Sequence, residues 1–175
     1  MQSLRNDVGK LDYMAEYLSL SLEEVQEFYN KTLNQKKSLE DKATAGIIGV
    51  TIAVSLVTGL ASLPFSMGEA QLDSTILRVL ILVFGLISLV YMSMSAWLSL
   101  VVLGEKNIVY QLSPKNMRLP ENEKLRQIAL NTEQNVNLNI VRNNYIYATY
   151  RSIFYAIISL GMMFVLIAVG AFFCL

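Results

Sequence analysis

The sequence predicts an all-α membrane protein in which three transmembrane helices extend into long cytoplasmic helices, with a short amphipathic helix at the N-terminus. Three apolar segments carry this prediction: Ala45–Leu63, Ile76–Leu103 and Ile153–Leu175. Each approaches or exceeds the roughly 20 residues that a helix needs to cross the hydrocarbon core. The only charged residue inside them is Arg78, near one end. Because backbone groups in lipid must be satisfied within their own segment, helices are the expected form.

The placement of Lys and Arg predicts the orientation of the chain. Cations are frequent in both polar arms, whereas the connection between the first two spans has none and carries Glu69 and Asp73. Since cytoplasmic loops are enriched in Lys and Arg, we place both arms and the N-terminus in the cytoplasm and the C-terminus outside. The resulting regions are a cytoplasmic helical arm (1–44), transmembrane helix 1 (45–63), an external loop (64–75), transmembrane helix 2 (76–103), a second cytoplasmic helical arm (104–149) and transmembrane helix 3 (150–175).

The composition excludes most catalytic and metal chemistry. The chain has no His and a single Cys, Cys174, so one copy holds no disulfide framework, zinc site or Cys–His catalytic pair. It also lacks a Gly-rich phosphate loop. We therefore expect neither a cofactor nor an enzymatic activity. The formal net charge of +0 gives no argument for nucleic acid.

The first residues predict the short amphipathic helix. Its apolar stripe, with alternating spacings of four and three, consists of Leu4, Val8, Leu11, Ala15 and Leu18. The opposite face is acidic, so we expect this helix to pack on protein and not on anionic lipid. A second interpretation of residues 17–25 is a helix-turn-helix corner, but their acidity argues against duplex DNA as a partner.

A capping box marks the start of the first long helix. Ser21 is followed three residues later by Glu24, and no Gly or Pro occurs until Gly46. We expect one helix from Leu22 to Leu63, stopped by Pro64. Its near-heptad stripe toward the first span consists of Leu22, Val25, Tyr29, Leu33, Lys36, Leu39 and Ala43.

The other two long helices have equally clear end signals. Asp73 or Ser74 is suited to cap the second helix, which we expect to continue to about Leu112, before Ser113 and a proline. Pro120 is suited to the first helical position of the third helix, which we expect to run to near the C-terminus. An aromatic belt at its membrane boundary consists of Tyr145, Tyr147, Tyr150 and Tyr155.

A row of amides on the third helix is the first candidate site. Its members recur every four residues: Gln127, Asn131, Asn135, Asn139 and Asn143. Neighbours at this spacing stack on one helix face, although Asn is a poor helix former. We interpret the Asn residues as pore-lining or oligomer-facing, in a hydrated vestibule, in contact with the same helix of another subunit, or bonded to a small ligand. The alternative is a solvated face.

A row of hydroxyl side chains in the first span is the second candidate site. It consists of Thr51, Ser55, Thr58 and Ser62. With Gly46, Gly49 and Gly59 nearby, this face predicts close helix packing in a membrane. The alternative is a pore-lining surface around a narrow water path. Ser88, Ser95 and Ser99 of the second span allow the same two interpretations. Hydroxyls that bond to their own helix weaken both interpretations.

A basic cluster at the cytoplasmic boundary is the third candidate site. Its members are Lys36, Lys37, Lys42, Arg142 and Arg151. Such residues set membrane orientation and contact phospholipid headgroups. The alternative is an anion or ligand-binding site for a cyclic nucleotide or an oligonucleotide.

The apolar segments also exclude several transport mechanisms. Proton relays, ion-coupled transporters and voltage sensors need ionisable groups at the middle of the membrane, and these spans carry none. What is left is a passive pore or an anchor. We expect a homo-oligomeric channel or pore-forming effector gated through its cytoplasmic helices. The alternative is a membrane-anchored scaffold that docks a cytosolic partner protein.

Two segments at span boundaries resemble known proteins. Glu40–Gly46 (EDKATAG) and the residues from Asn143 to Arg151 are similar to the membrane boundaries of small transmembrane effectors in bacterial anti-phage nucleotide signalling. These include cyclic-oligonucleotide, cyclic-pyrimidine and Hailong-type channel effectors. The resemblance implies a homo-oligomer, for which we expect a tetramer, that depolarises the bacterial inner membrane during abortive infection. It also implies a nucleotide or oligonucleotide ligand, or a nucleotidyltransferase partner.

Overall fold

Three long α-helices make up the computed structural model, which describes residues 19–66, 75–104 and 118–173. They are α1 (Leu22–Ser66), α2 (Thr75–Gly104) and α3 (Glu121–Phe173). The described part of the chain contains no β-strand. Each helix is long and apolar enough to cross a membrane, which confirms the three predicted long helices and is consistent with a multi-pass membrane protein. The predicted N-terminal amphipathic helix lies outside the described residues.

The ends of the helices follow from local chemistry. At the start of α1, the Ser21 backbone N–H and Oγ both donate to Glu24 Oε2 at 2.8 Å, and the Glu24 N–H donates to Ser21 Oγ at 3.3 Å. This confirms the predicted capping box. At the start of α3, the Lys124 N–H donates to the Pro120 carbonyl at 2.9 Å. The helix begins one residue after the proline, which has no N–H to lose.

The end of α1 differs from the prediction. The helix continues two residues past Pro64 and ends at Ser66. A proline costs most in a helix interior, where it breaks the hydrogen-bond ladder, and its φ angle is itself helical. Because Pro64 lies near the last turn of α1, the helix can continue for two residues beyond it. The predicted cap of α2 and its predicted extension toward Leu112 lie outside the described residues.

The chain divides into two compact units, and each has its own buried residues. Helices α1 and α3 each contribute residues to both units. The described parts of unit 1 are residues 19–40 and 118–143, and those of unit 2 are residues 41–66, 75–104 and 144–173. In unit 1, an apolar cluster joins Val25 and Tyr29 of α1 to Ile128 and Ala129 of α3. Unit 2 has its own cluster, formed by Val50, Val57, Met92 and Ala156.

A heptad row of buried and half-buried residues runs along every helix, with alternating steps of four and three. On α2 the buried set is Ile81, Gly85, Ser88, Met92, Ser95, Ser99 and Val102. On α1 the row is Val25, Tyr29, Thr32, Lys36, Leu39, Ala43, Gly46, Val50, Ala53 and Val57. On α3 the row is Leu125, Ile128, Thr132, Asn135, Asn139, Arg142, Ile146, Thr149, Ile153, Ala156, Leu160 and Met163, and the buried Ala129, Ser152 and Ser159 lie beside it. Such a repeat is the pattern of helices that pack as in a left-handed coiled coil.

Contacts within the units give the helix directions. In unit 1, Val25 lies with Ile128 in the apolar cluster and Thr32 contacts Asn139, so α1 and α3 run parallel there. In unit 2, Ser88 contacts the carbonyl of Ala156, while the earlier Phe84 contacts the later Ser159. Consequently α2 runs antiparallel to α3 in this unit.

Candidate functional site

The interface between α1 and α3 in unit 1, called the seam below, has the amide of Asn139 at the centre of its polar part. Its Nδ2 donates to the carbonyl oxygen of Thr32 on α1 at 2.8 Å, and its Oδ1 accepts from Arg142 Nη1 at 3.2 Å. The Thr32 hydroxyl donates to the Tyr29 carbonyl at 2.7 Å. Asn139 is therefore used at both ends of its amide inside one protomer. A buried amide in a heptad seam fixes the register of the two helices.

The amide row does not stay on one face of α3. Asn135 and Asn139 are 4% and 6% exposed, Gln127 and Asn131 are half-buried, and Asn143 is exposed. A helix turns about 100° per residue, so each step of four residues drifts by about 40° and four steps drift by about 160°. The row therefore winds from the seam to the surface. With a spacing of four residues, adjacent members of the row lie close together, but the first and last members point in different directions.

The five predicted cations have different environments. Arg142 is 1% exposed and hydrogen-bonded to Asn139, so it is an interior residue of unit 1. Lys36 pairs with Glu40 at 3.4 Å, and Lys37 is exposed. Lys42 and Arg151 belong to unit 2, and both are exposed.

Arg151 belongs to an aromatic group on the surface of unit 2. Its Nε donates to the Tyr155 hydroxyl at 3.1 Å, and its guanidinium carbon lies 5.6 Å from the centre of the same ring. The rings of Tyr91 and Tyr155 have centroids 5.4 Å apart. Arg151 therefore makes a hydrogen bond and a cation–π contact with Tyr155, one of the four tyrosines of the predicted aromatic belt, and the belt itself stays a prediction.

The serines of α2 pack against α3. Ser88 Oγ donates to the Ala156 carbonyl at 3.2 Å, and Ser159 Oγ of α3 donates to the Phe84 carbonyl at 2.8 Å. A side chain built on Gly85 would place its Cβ 3.5 Å from Met163 Sδ. These contacts support the packing interpretation of this row, since small residues let the two backbones approach closely.

Three buried hydroxyls in unit 2 have no hydrogen-bond partner among the residues that the structure describes. They belong to Ser95 and Ser99 of α2 and to Thr149 of α3, and these residues are 0%, 0% and 1% exposed. A buried hydroxyl left unpaired costs about 1–3 kcal/mol. Sequence reasoning missed Thr149, although its position seven residues after Arg142 places it in the same heptad row.

The hydroxyl row of α1 lies on the outside of unit 2. Thr51, Ser55 and Thr58 are exposed, and each donates to a carbonyl one turn earlier in α1, at 3.0 Å, 3.0 Å and 2.9 Å. Gly49 and Gly59 are also exposed, and a Cβ at either would meet nothing within 4 Å. Ser62 is part of α1, but its side chain lies outside the described set.

The outward faces of the three spans differ in chemistry. Within the described parts of the apolar segments, the exposed Ser and Thr residues are Thr51, Ser55, Thr58 and Ser93. Three of these four lie on α1. The exposed residues of the second and third apolar segments are mainly large and apolar, such as Leu86 at 62% and Phe154 at 59%.

The described residues contain no group of three His, Cys, Asp or Glu side chains that could hold a metal ion. Comparison of the chain with protein-family models, curated proteins and solved structures gives no match.

Proposed function

We propose that the chain assembles as a homo-oligomer in a membrane and forms a passive channel, with the exposed hydroxyl row of α1 lining the path. The observation that carries this proposal is the distribution of exposed Ser and Thr residues in the described parts of the apolar segments: three of the four lie on α1. An apolar helix face is stable in contact with lipid. The face of α1 that carries exposed hydroxyls gains more hydrogen bonding from another copy of α1 or from water.

The hydrogen bonds of this row favour a weakly selective path. The donors of Thr51, Ser55 and Thr58 are satisfied within α1, so their oxygen lone pairs stay available to accept from water. Such a surface offers dipoles and no charge. A pore lined in this way is gated by packing or by loss of water.

The mechanism of gating and the biological role are further parts of the proposal. A tetramer would be opened by rearrangement of the cytoplasmic helices, in response to a nucleotide signal or to a nucleotidyltransferase partner. In a bacterial inner membrane the open channel would depolarise the cell and abort phage infection. The support for this role is the resemblance of Glu40–Gly46 and of residues 143–151 to anti-phage effectors.

Planar bilayers test the conduction that the proposal requires. Purified full-length protein is expected to give discrete currents, and the triple variant Thr51→Val, Ser55→Ala, Thr58→Val is expected to reduce the unitary current several-fold because a dry path conducts poorly. The matched control is Ser93→Ala, which removes an exposed hydroxyl that also donates within its own helix, to Leu89 at 2.8 Å. Equal currents in the triple variant and the control would remove the α1 row from the path.

The alternative function is a membrane-anchored scaffold whose cytoplasmic helices dock a partner protein. It is favoured by the same hydrogen bonds, because hydroxyls that donate to their own helix are tolerated against lipid. Stable capture of one cytosolic protein by the full-length chain, together with silence in bilayers under all tested nucleotides, would support the scaffold over the channel.

A further inference from the structure

Three hydroxyls with unmet hydrogen-bonding capacity lie together in the interior of unit 2. Within the described residues 19–66, 75–104 and 118–173, the oxygens of Ser95, Ser99 and Thr149 have no hydrogen-bond partner, although Ser88 and Ser159 each donate to a carbonyl of the opposite helix. The bonds of Ser88 and Ser159 show that the facing helix can satisfy a buried hydroxyl in unit 2. Buried polar groups in proteins are almost always satisfied by protein or by ordered water.

Gly46 shows where the three helices meet beside these hydroxyls. A Cβ on this residue would lie 3.0 Å from Ser99 Oγ and 3.4 Å from Thr149 Cγ2. Residues from α1, α2 and α3 therefore converge at one point, and Ser95 lies one turn away on the buried row of α2. Because Gly46 has no side chain, α1 packs closely against Ser99 Oγ and the methyl carbon of Thr149 at this point.

We propose that Ser95, Ser99 and Thr149 form a binding site for ordered water inside each protomer. Water both donates and accepts, and it needs two to four polar partners to be held in an interior. An ion is disfavoured because the site offers three neutral hydroxyls and no opposite charge to offset its loss of hydration. An apolar guest would leave all three hydroxyls unpaired.

This site is independent of the channel. It lies in the interior of one chain, and the hydroxyl row of α1 lies on the outside. A scaffold with the same fold would hold the same water. The experiment below therefore reports on the site whether or not the protein conducts.

Water-edited solid-state NMR on the full chain in lipid bilayers tests the proposal. Magnetisation transfer from water to Ser99 and Thr149 is expected to be several-fold faster than transfer to Ser88 and Ser159, whose hydroxyls are bonded to backbone carbonyls. Equally slow transfer to all four residues would overturn the proposal.

Two glycine variants locate the water. Gly46→Ala places a methyl group beside Ser99 Oγ and is expected to abolish the fast transfer to Ser99 and Thr149. Gly49→Ala is the matched control, because its Cβ meets nothing within 4 Å, and it is expected to leave the transfer unchanged.

A stability measurement covers the case in which Gly46→Ala does not fold. If water bridges the hydroxyls, Ser99→Ala lowers the thermal midpoint, because the water loses a partner. If the hydroxyls are dry, the same change raises the midpoint, because it removes an unpaired polar group. A raised midpoint would contradict the site.

Discussion

At the residue scale, the buried amide of Asn139 is the clearest case in which the sequence allowed several interpretations. The same spacing that predicted a pore-lining row places Asn139 in the seam of unit 1 and Asn143 on the surface. A residue one turn along a helix differs in direction by about 40°, and the sequence of one helix does not reveal where its neighbour begins. The role of each Asn therefore follows only from the packing of α1.

Replacing Asn139 is expected to destabilise unit 1. Asn139→Ala removes the bond to the Thr32 carbonyl and leaves the buried Arg142 with one partner fewer, at a cost of about 1–3 kcal/mol. Thermal unfolding in detergent, followed by circular dichroism, measures the change. Asn143→Ala is the control, since this exposed residue is the next member of the row. Equal midpoints for both variants would contradict the seam.

The capping box gives a prediction about pH. The bonds with the Ser21 backbone and then with its side chain lower the pKa of Glu24. Because the folded pKa is depressed, the cap contributes stability above the ordinary Glu pKa of about 4.3 and loses it as the pH falls through the lowered folded value. Ser21→Ala is expected to raise the Glu24 midpoint in an NMR titration of the carboxyl carbon. An unchanged midpoint would show that the cap does not form.

At the element scale, the helices were predictable and their buried faces were only partly so. The apolar lengths and the capping box of Ser21 and Glu24 predicted three helices. In the polar part of α1 the stripe was nearly right, although Thr32 at 3% exposure is buried more deeply than Leu33. In the spans, hydrophobic periodicity disappears because the outer face meets lipid. There the buried face is marked by small residues such as Gly85 and Ser88.

The small residues of α2 give a prediction about packing. Gly85→Leu drives a large side chain toward Met163 Sδ, which lies 3.5 Å from the position of its Cβ. Overpacking of this kind costs about 1–3 kcal/mol, so the thermal midpoint is expected to fall. Gly161→Leu is the matched control, because that glycine is exposed and its Cβ would meet nothing within 4 Å. A larger loss in the control would contradict the α2–α3 interface.

At the scale of the whole molecule, the sequence predicted which types of residue form the candidate sites, but it did not predict which of them lie together in the structure. The exposed hydroxyl row of α1 was found from spacing alone. The basic cluster was not resolved by spacing, because Arg142 is interior and Arg151 is held by Tyr155 on the surface. The three unpartnered hydroxyls were beyond the sequence, since Thr149 belongs to a different helix from Ser95 and Ser99. Residues brought together from separate helices leave no local signal.

The central claim is that the hydroxyl row of α1 faces a water-filled path between copies of the chain. Cysteine accessibility during current recording tests it most directly, in a background in which Cys174→Ser removes the native thiol. A membrane-impermeant thiol reagent reacts with the hydrated thiolate and not with a thiol in lipid. Thr51→Cys, Ser55→Cys and Thr58→Cys are expected to lose current on exposure to the reagent, while Ser93→Cys on α2 keeps its current. Loss at Ser93→Cys with protection of all three α1 positions would contradict the account.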